Sequence, residues 1–151
     1  DPAAAFEEVR RVLRPGGTFA YAVIGEPERN AWMSLVVMAF VSRGHLPGGG
    51  DPFGAGGPFS LAAAQRNVEL LEGAGFSTVD VQDLEGTFPF ADVEDHWQFQ
   101  LAVAGPVADM AASVDADELA EVRAALAASM EPHRSGDRFE LGSHLVGAVA
   151  R

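Results

Sequence analysis

The sequence contains no cysteine, which closes off a disulfide framework and any thiolate metal site. No run of about 18 or more apolar residues occurs and no signal peptide is recognisable, so the expectation is a cytoplasmic chain with no membrane span. Cations are few. Ten Lys and Arg stand against 22 Asp and Glu, a formal net charge of −12, which argues against phosphate backbones and anionic membranes as partners. The four histidines are scattered, without an H-x-x-x-H pair or paired-carboxylate spacing, so no metal is expected. Neither the G-x-S-x-G signature of a nucleophilic serine nor the G-x-x-x-x-G-K-[ST] phosphate loop is present. No methionine opens the chain, which starts on a helix cap, so a processed, cloned or proteolysed product is expected.

What is present is a chain of 151 residues, 48% apolar, enough for one domain with a core. Asp1-Pro2 reads as a helix start, an acceptor cap followed by a residue with no N–H to leave unpaired. Phe6, Val9 and Leu13 make one apolar stripe, and Arg10, Arg11 and Arg14 gather where cations suit the helix dipole. Pro15-Gly16-Gly17 ends the helix. Thr18–Ile24 is apolar at nearly every position, as in a parallel-sheet strand covered on both faces.

Beyond Gly25 the residues Glu26–Arg29 break the pattern, and Asn30 is placed to cap a helix over Ala31–Arg43. That helix is apolar nearly all round, so it must be buried. Two readings stand: a core or dimer-interface helix, or a lid whose Trp32, Met33 and Phe40 line a substrate pocket. Residues 46–59 hold six glycines and three prolines, a mobile connection with Phe53 and Phe59 as anchors. Ser60 is read as the cap of a helix over Leu61–Glu72 with the stripe Leu61, Ala64, Val68 and Leu71. Gly73 and Gly75 close it and Phe76 packs back. Thr78–Glu85 alternates like a half-buried strand, and Thr87–Phe90 leaves it extended. Residues 92–131 read as two inserted helices. Asp92 with Asp95, and Asp115 with Glu118, have capping-box spacing, and Val114 and Leu119 sit at staple positions. Val93, Trp97, Leu101 and Ala104 line one helix; Leu119, Val122, Leu126 and Met130 line the other. Arg138–Ala150 closes the chain as an apolar strand suited to the centre of a sheet.

FEEVRRVLRPGGTFAYAVIG resembles the segment leading into the fifth strand of class I S-adenosylmethionine-dependent methyltransferases of the small-molecule, type 11/25-like kind. LLEGAGFSTVDVQDLEG resembles that family's next helix-turn-strand unit, and FELGSHLVGAVAR its closing strand. The likeness covers almost the whole chain but only the family's C-terminal half. It implies an α/β, partial Rossmann-like fold: a small three-stranded mixed sheet in the order 5-7-6, that is Thr18–Ile24, Phe139–Ala150, Thr78–Glu85. It also implies a single partial domain over 1–151, with a lid helix and loop at 26–59 and a helical insertion at 92–131. The family grips S-adenosylmethionine through a glycine-rich turn after its first strand and an acidic residue after its second. Neither has a counterpart here, so the implied parent uses that cofactor and this chain alone is expected to bind none.

Methyl transfer is an in-line displacement in which positioning matters most and a base is optional. His96 is the weak catalytic candidate, with Asp95, His45 and His144 behind it; its neighbour Trp97 must point elsewhere on the helix. Arg29 and Asn30 lie past a strand's carboxyl end, where open α/β sheets place ligands. With Trp32, Met33, Phe40 and Trp97 they form the expected site for a small, partly apolar substrate. Asp92, Glu94 and Asp95 read as a solvated helix N-terminus. The exposed edge of Thr18–Ile24 calls for a partner, a homodimer twin or the missing N-terminal half. The alternative function is a non-catalytic, methyltransferase-like module for ligand binding or dimerisation.

Overall fold

A computed structural model describes residues 1–46, 53 and 57–151. The glycine- and proline-rich reading of 46–59 falls mostly outside these residues; within it, Phe59 is buried. The chain forms two compact units, one from Asp1–Glu26, Ala55–Glu85 and His144–Arg151, the other from Pro27–Gly54 and Gly86–Ser143. Both the segment read as a lid and the helical insertion contribute to the second unit. Helices and an open antiparallel sheet of four strands make the architecture mixed α/β.

In the first unit, helix α1 (Pro2–Val12) begins where the Asp1 carboxylate accepts from the Ala3 and Ala4 amides, at 3.0 and 3.2 Å. Its turn needs glycine twice. Gly16 has φ +77°, and a Cβ on Gly17 would lie 2.9 Å from the Arg14 carbonyl. Strand β1 (Phe19–Ile24) follows. Helix α3 (Ala64–Gly73) ends in a left-handed glycine, Gly75, with Phe76 N–H donating to the Leu71 carbonyl at 3.1 Å. Strand β2 (Val79–Phe90) starts here and runs on into the second unit. Phe6, Leu70, Leu71, Phe76, Ala148 and Ala150 form the core, where Phe6, Phe19 and Tyr21 pack ring to ring at 5.1–5.8 Å.

The second unit is mainly helical: α2 (Ala31–Ser42), α4 (Val93–Val103), α5 (Gly105–Ser113) and α6 (Ala116–Met130), with the short strand β3 (Arg134–Ser135). Strand β4 (Arg138–Ala150) begins here and ends in the first unit. The core is built on Val36, Phe40, Trp97, Val122, Leu126, Met130, Phe139 and Leu141.

The strand order is β1-β4-β2, with β3 paired to β4. The three expected strands therefore stand in the expected sequence, and β4 is central. The sheet is not mixed, however, and has four strands rather than three. Because the one reversed strand is the middle one, it runs against its neighbours; β1 and β3 pair with it antiparallel, Phe19 opposite Ala150 and Arg134 opposite Phe139. The reading of β1 as covered on both faces is corrected as well, since its residues alternate between half-buried and exposed before Ile24.

Further corrections are local. Helix α3 starts at Ala64, not Leu61, and Ser60 is no cap; Asn67 turns inward and Ala64 outward, so the buried stripe is Asn67, Leu70 and Leu71. β2 continues through Pro89 instead of stopping at Glu85, which a strand at a sheet edge tolerates. The insertion holds three helices, because Gly105-Pro106 supplies the first turn of α5. Asn30 makes no side-chain cap for α2.

Candidate functional site

The second unit gathers most of the residues expected to form a site, and it does so around one carbonyl. Asn30 is fully buried, and its Oδ1 accepts the Trp32 indole N–H at 3.1 Å instead of capping α2. That bond holds the start of α2 with the Trp32 carbonyl facing α4. His96 and Gln100 stand four residues apart on α4, hence on one helix face, and both are fully buried. His96 Nε2 lies 2.8 Å from the Trp32 oxygen, and Gln100 Nε2 donates to the same oxygen. The two side-chain nitrogens are 3.2 Å apart.

This arrangement fixes the chemistry of the imidazole. A carbonyl only accepts, so the ring proton sits on Nε2 and Nδ1 carries a bare lone pair. Burial pushes the His96 pKa below the usual histidine value, opposed by the bond to Trp32 and by Asp95, so the ring is neutral at pH 7. Among the described residues, neither His96 Nδ1 nor Gln100 Oε1 meets a hydrogen-bond donor. A buried acceptor left in this state costs about 1–3 kcal/mol.

A chain of aromatic rings leads away from the polar group. His96 packs edge-on against Phe90 at 4.8 Å. Trp32 lies 4.7 Å from Phe88, and Phe99 lies 6.1 Å from both and 5.5 Å from Phe90. Phe88 is the exposed member, with 36% of its surface in solvent. On the other side of α4, Trp97 stacks on Phe40 at 6.1 Å, and the Arg123 guanidinium lies 5.5 Å above the Trp97 ring. Both His96 and Trp97 are thus covered, because α4 is packed on two sides; the buried face includes His96 and Gln100, not only the expected Val93–Ala104 stripe.

The structure therefore brings Asn30, Trp32 and His96 together, with Met33 half-buried against the same core. Phe40 and Trp97 form a separate stacked pair deep in that core. Arg29 is half-buried, and its backbone carbonyl comes within 3.4 Å of where a Cβ on Gly142 would stand. Asp92 and Asp95 cap α4, Asp92 Oδ1 accepting from the Asp95 amide at 2.8 Å and Asp95 Oδ2 from the Ala91 amide at 2.9 Å. Glu94 is paired with Arg123.

His45 and His144 have structural partners. His45 lies 3.0 Å from Glu118, which also holds Arg43 at 2.5 Å; these neighbours pull the Glu118 pKa down to about 2. Glu118 therefore does not reach back to complete the capping box begun by Asp115. In the first unit His144 is buried in β4, its Nδ1 accepting the Glu26 amide at 3.1 Å while Nε2 lies 3.1 Å from Asp83 Oδ1. With Nδ1 occupied by a backbone donor, His144 orders a turn and has no lone pair to act as a base. Among the described residues no group of three or more His, Asp or Glu could hold a metal ion. Among the described residues no helix is long and apolar enough to cross a membrane.

No protein-family model matches the chain, and no curated protein is similar to it at a significant level. The reading of the site accordingly rests on its own geometry. Among the described residues, the two passages from a strand into a helix do not fit S-adenosylmethionine. An adenosyl donor calls for an open glycine turn between a strand and the helix after it. The glycine at the β1-to-α2 passage is Gly25, where a Cβ would fall inside the His144 imidazole, and the β2-to-α4 passage, Ala91-Asp92, has none.

Gln100, Phe88, Phe90 and Phe99 were not legible as site residues. The spacing His96–Gln100 on an otherwise apolar helix face was the available signal, since two uncharged polar groups one turn apart are placed to share a partner.

Proposed function

We propose that this chain is the substrate-side half of an S-adenosylmethionine-dependent methyltransferase acting on a small, partly apolar molecule, with the cofactor gripped by a portion of the protein outside it. The observation that carries the reading is the β1-β4-β2 order: a central antiparallel β4, with β1 and β2 each fed by a helix through a left-handed glycine turn. The methyltransferase resemblance implies that arrangement for its last three strands. The finer Rossmann-like assignment belongs to the same proposal, as does a cytoplasmic setting.

In this reading Asn30, Trp32 and Met33 bound the substrate side, Arg29 stands at its margin, and the Phe40–Trp97 pair supports it from within. His96 is the base, a neutral imidazole with its Nδ1 lone pair free to take a proton from an acceptor hydroxyl or amine. Among the described residues β1 pairs only with β4, and its other side is where the cofactor-binding half, or a second copy, would add a strand.

Calorimetric titration with S-adenosylmethionine tests the proposal. The 151-residue chain should give no binding heat. The chain joined to whatever its reading frame encodes ahead of Asp1 should bind in the micromolar range. Micromolar binding by the shorter chain would remove the division into halves; no binding by the longer one would remove the methyltransferase reading.

A further inference from the structure

Two acceptors without donors lie next to a partly open set of aromatic rings, and the two features ask for one kind of molecule. His96 Nδ1 and Gln100 Oε1 are buried lone pairs that no described donor reaches. They are held that way by design of the local bonding, since the donors of both side chains already converge on the Trp32 carbonyl. Neither side chain can turn to satisfy itself without giving up that carbonyl. Native interiors leave few such groups bare, and those that persist are met by water or by a ligand.

The surroundings choose between these. Phe90 packs on His96 at 4.8 Å, and from it Trp32, Phe88, Phe90 and Phe99 join ring to ring at 4.7–6.5 Å. Phe88 is part-exposed and Phe99 half-buried. Rings in contact with one another on one side and with solvent on the other offer a stacking surface for a further ring. The two bare groups are neutral acceptors, so the site selects for an O–H or N–H donor.

We infer that the second unit binds a small planar aromatic molecule carrying a hydroxyl or N–H group, its ring stacked with Phe88 and Phe99 and its donor given to His96 Nδ1 or Gln100 Oε1. Phe88, the most exposed of the rings, is the one that yields to admit it. The inference deepens the substrate-side reading by naming the substrate class, and it rests on that reading only for what happens after binding. Its test needs no methyl donor, so the two can fail separately.

The probes are phenol, its methyl ether anisole, and benzene, titrated into the full 151-residue chain while the Trp32 indole N–H and the aromatic resonances are followed by NMR. Phenol should shift Trp32, Phe88 and Phe99 and bind about tenfold more tightly than anisole or benzene, the discrimination given by one hydrogen bond to an otherwise bare acceptor. The preference should disappear in H96F and weaken in Q100L. F88A, which leaves both acceptors in place, should weaken phenol and anisole alike. Equal affinity for phenol and anisole would overturn the inference. So would shifts confined to other residues, or saturation by none of the probes up to about 10 millimolar, a concentration at which a well-seated seven-atom ligand binds. In these cases the acceptors are served by water alone. If H96F does not fold, the phenol-to-anisole ratio in the unaltered chain decides the matter.

Discussion

The two units treat their buried polar side chains differently. In the first, Asn67 is fully buried and fully employed: its amide donates to the Leu61 and Ala63 carbonyls at 2.8 and 2.9 Å, and its oxygen accepts the Tyr21 hydroxyl at 2.8 Å. Burial also raises the Tyr21 pKa to about 12, so that hydroxyl remains a donor throughout the working pH range. In the second unit, His96 and Gln100 are equally buried, yet each keeps one acceptor idle. A polar group placed for stability is satisfied within the fold; one that waits for something else is not. The contrast separates a strut from a receptor, and the sequence composition supplies probes for it. Both tryptophans lie in the second unit and the single tyrosine in the first.

The largest effect should come from the second unit's core. Phe40→Ala removes a completely buried ring and should cost about 3–5 kcal/mol, read as a lower urea midpoint by tryptophan fluorescence. An unchanged midpoint would mean that Phe40 is not the core residue described. Gly25→Ala attacks the first unit, because its Cβ would enter the His144 ring. A loss of about 1–3 kcal/mol is expected, followed through the Tyr21 ring resonances, and H144A in the same chain should recover part of it. The sharpest comparison pairs two substitutions of similar shape. Asn67→Leu strands the Tyr21 hydroxyl and should cost about 2 kcal/mol, whereas Gln100→Leu removes an idle acceptor together with a donor whose partner, the Trp32 carbonyl, keeps His96, and should stay within about 1 kcal/mol of the parent. Equal losses would erase the distinction between the units.

The smallest effect is a pH dependence. His96 is held neutral by burial, whereas in the unfolded chain a histidine takes up a proton near pH 6.5. The unfolded state then binds the extra proton, so stability falls as pH drops below that value. Glu118 acts in a lower window. Its pKa is depressed from 4.5 to about 2, so its contribution is present above about pH 4.5 and is lost as pH falls towards 2. H96Q should flatten the upper window and leave the lower one unchanged, as measured by urea unfolding at a series of pH values.

What the sequence revealed was local. The caps at Asp1, Asp92 and Asp115, the Pro15-Gly16-Gly17 turn, and the bounds of α1, β1 and β4 are set by residues within a few positions of one another. The central place of β4 also followed from its apolar run. What stayed hidden depends on distant partners. Asn67 lies off the expected stripe of Leu61, Ala64, Val68 and Leu71, and its burial follows only once Tyr21, 46 positions earlier, is brought to it. Asn30 reads as a cap until the Trp32 indole takes its oxygen. The alternation that marks β2 in the sequence covers Thr78–Glu85, and only the strand's edge position shows why it runs on through Gly86 and Pro89. His96 was singled out as a titratable group in a plausible region; its tautomer required knowing that a carbonyl from α2 would meet it.

The long strand β4 has a consequence for how the chain comes off the ribosome. It is translated after every other described element, yet its first half belongs to one unit and its second half to the other. Until its thirteen residues emerge, β1 and β2 wait without the strand that separates them, their apolar faces available to any passing polypeptide. Those faces stay uncovered during that interval, and a stop codon placed before residue 138 would leave both units unfinished together.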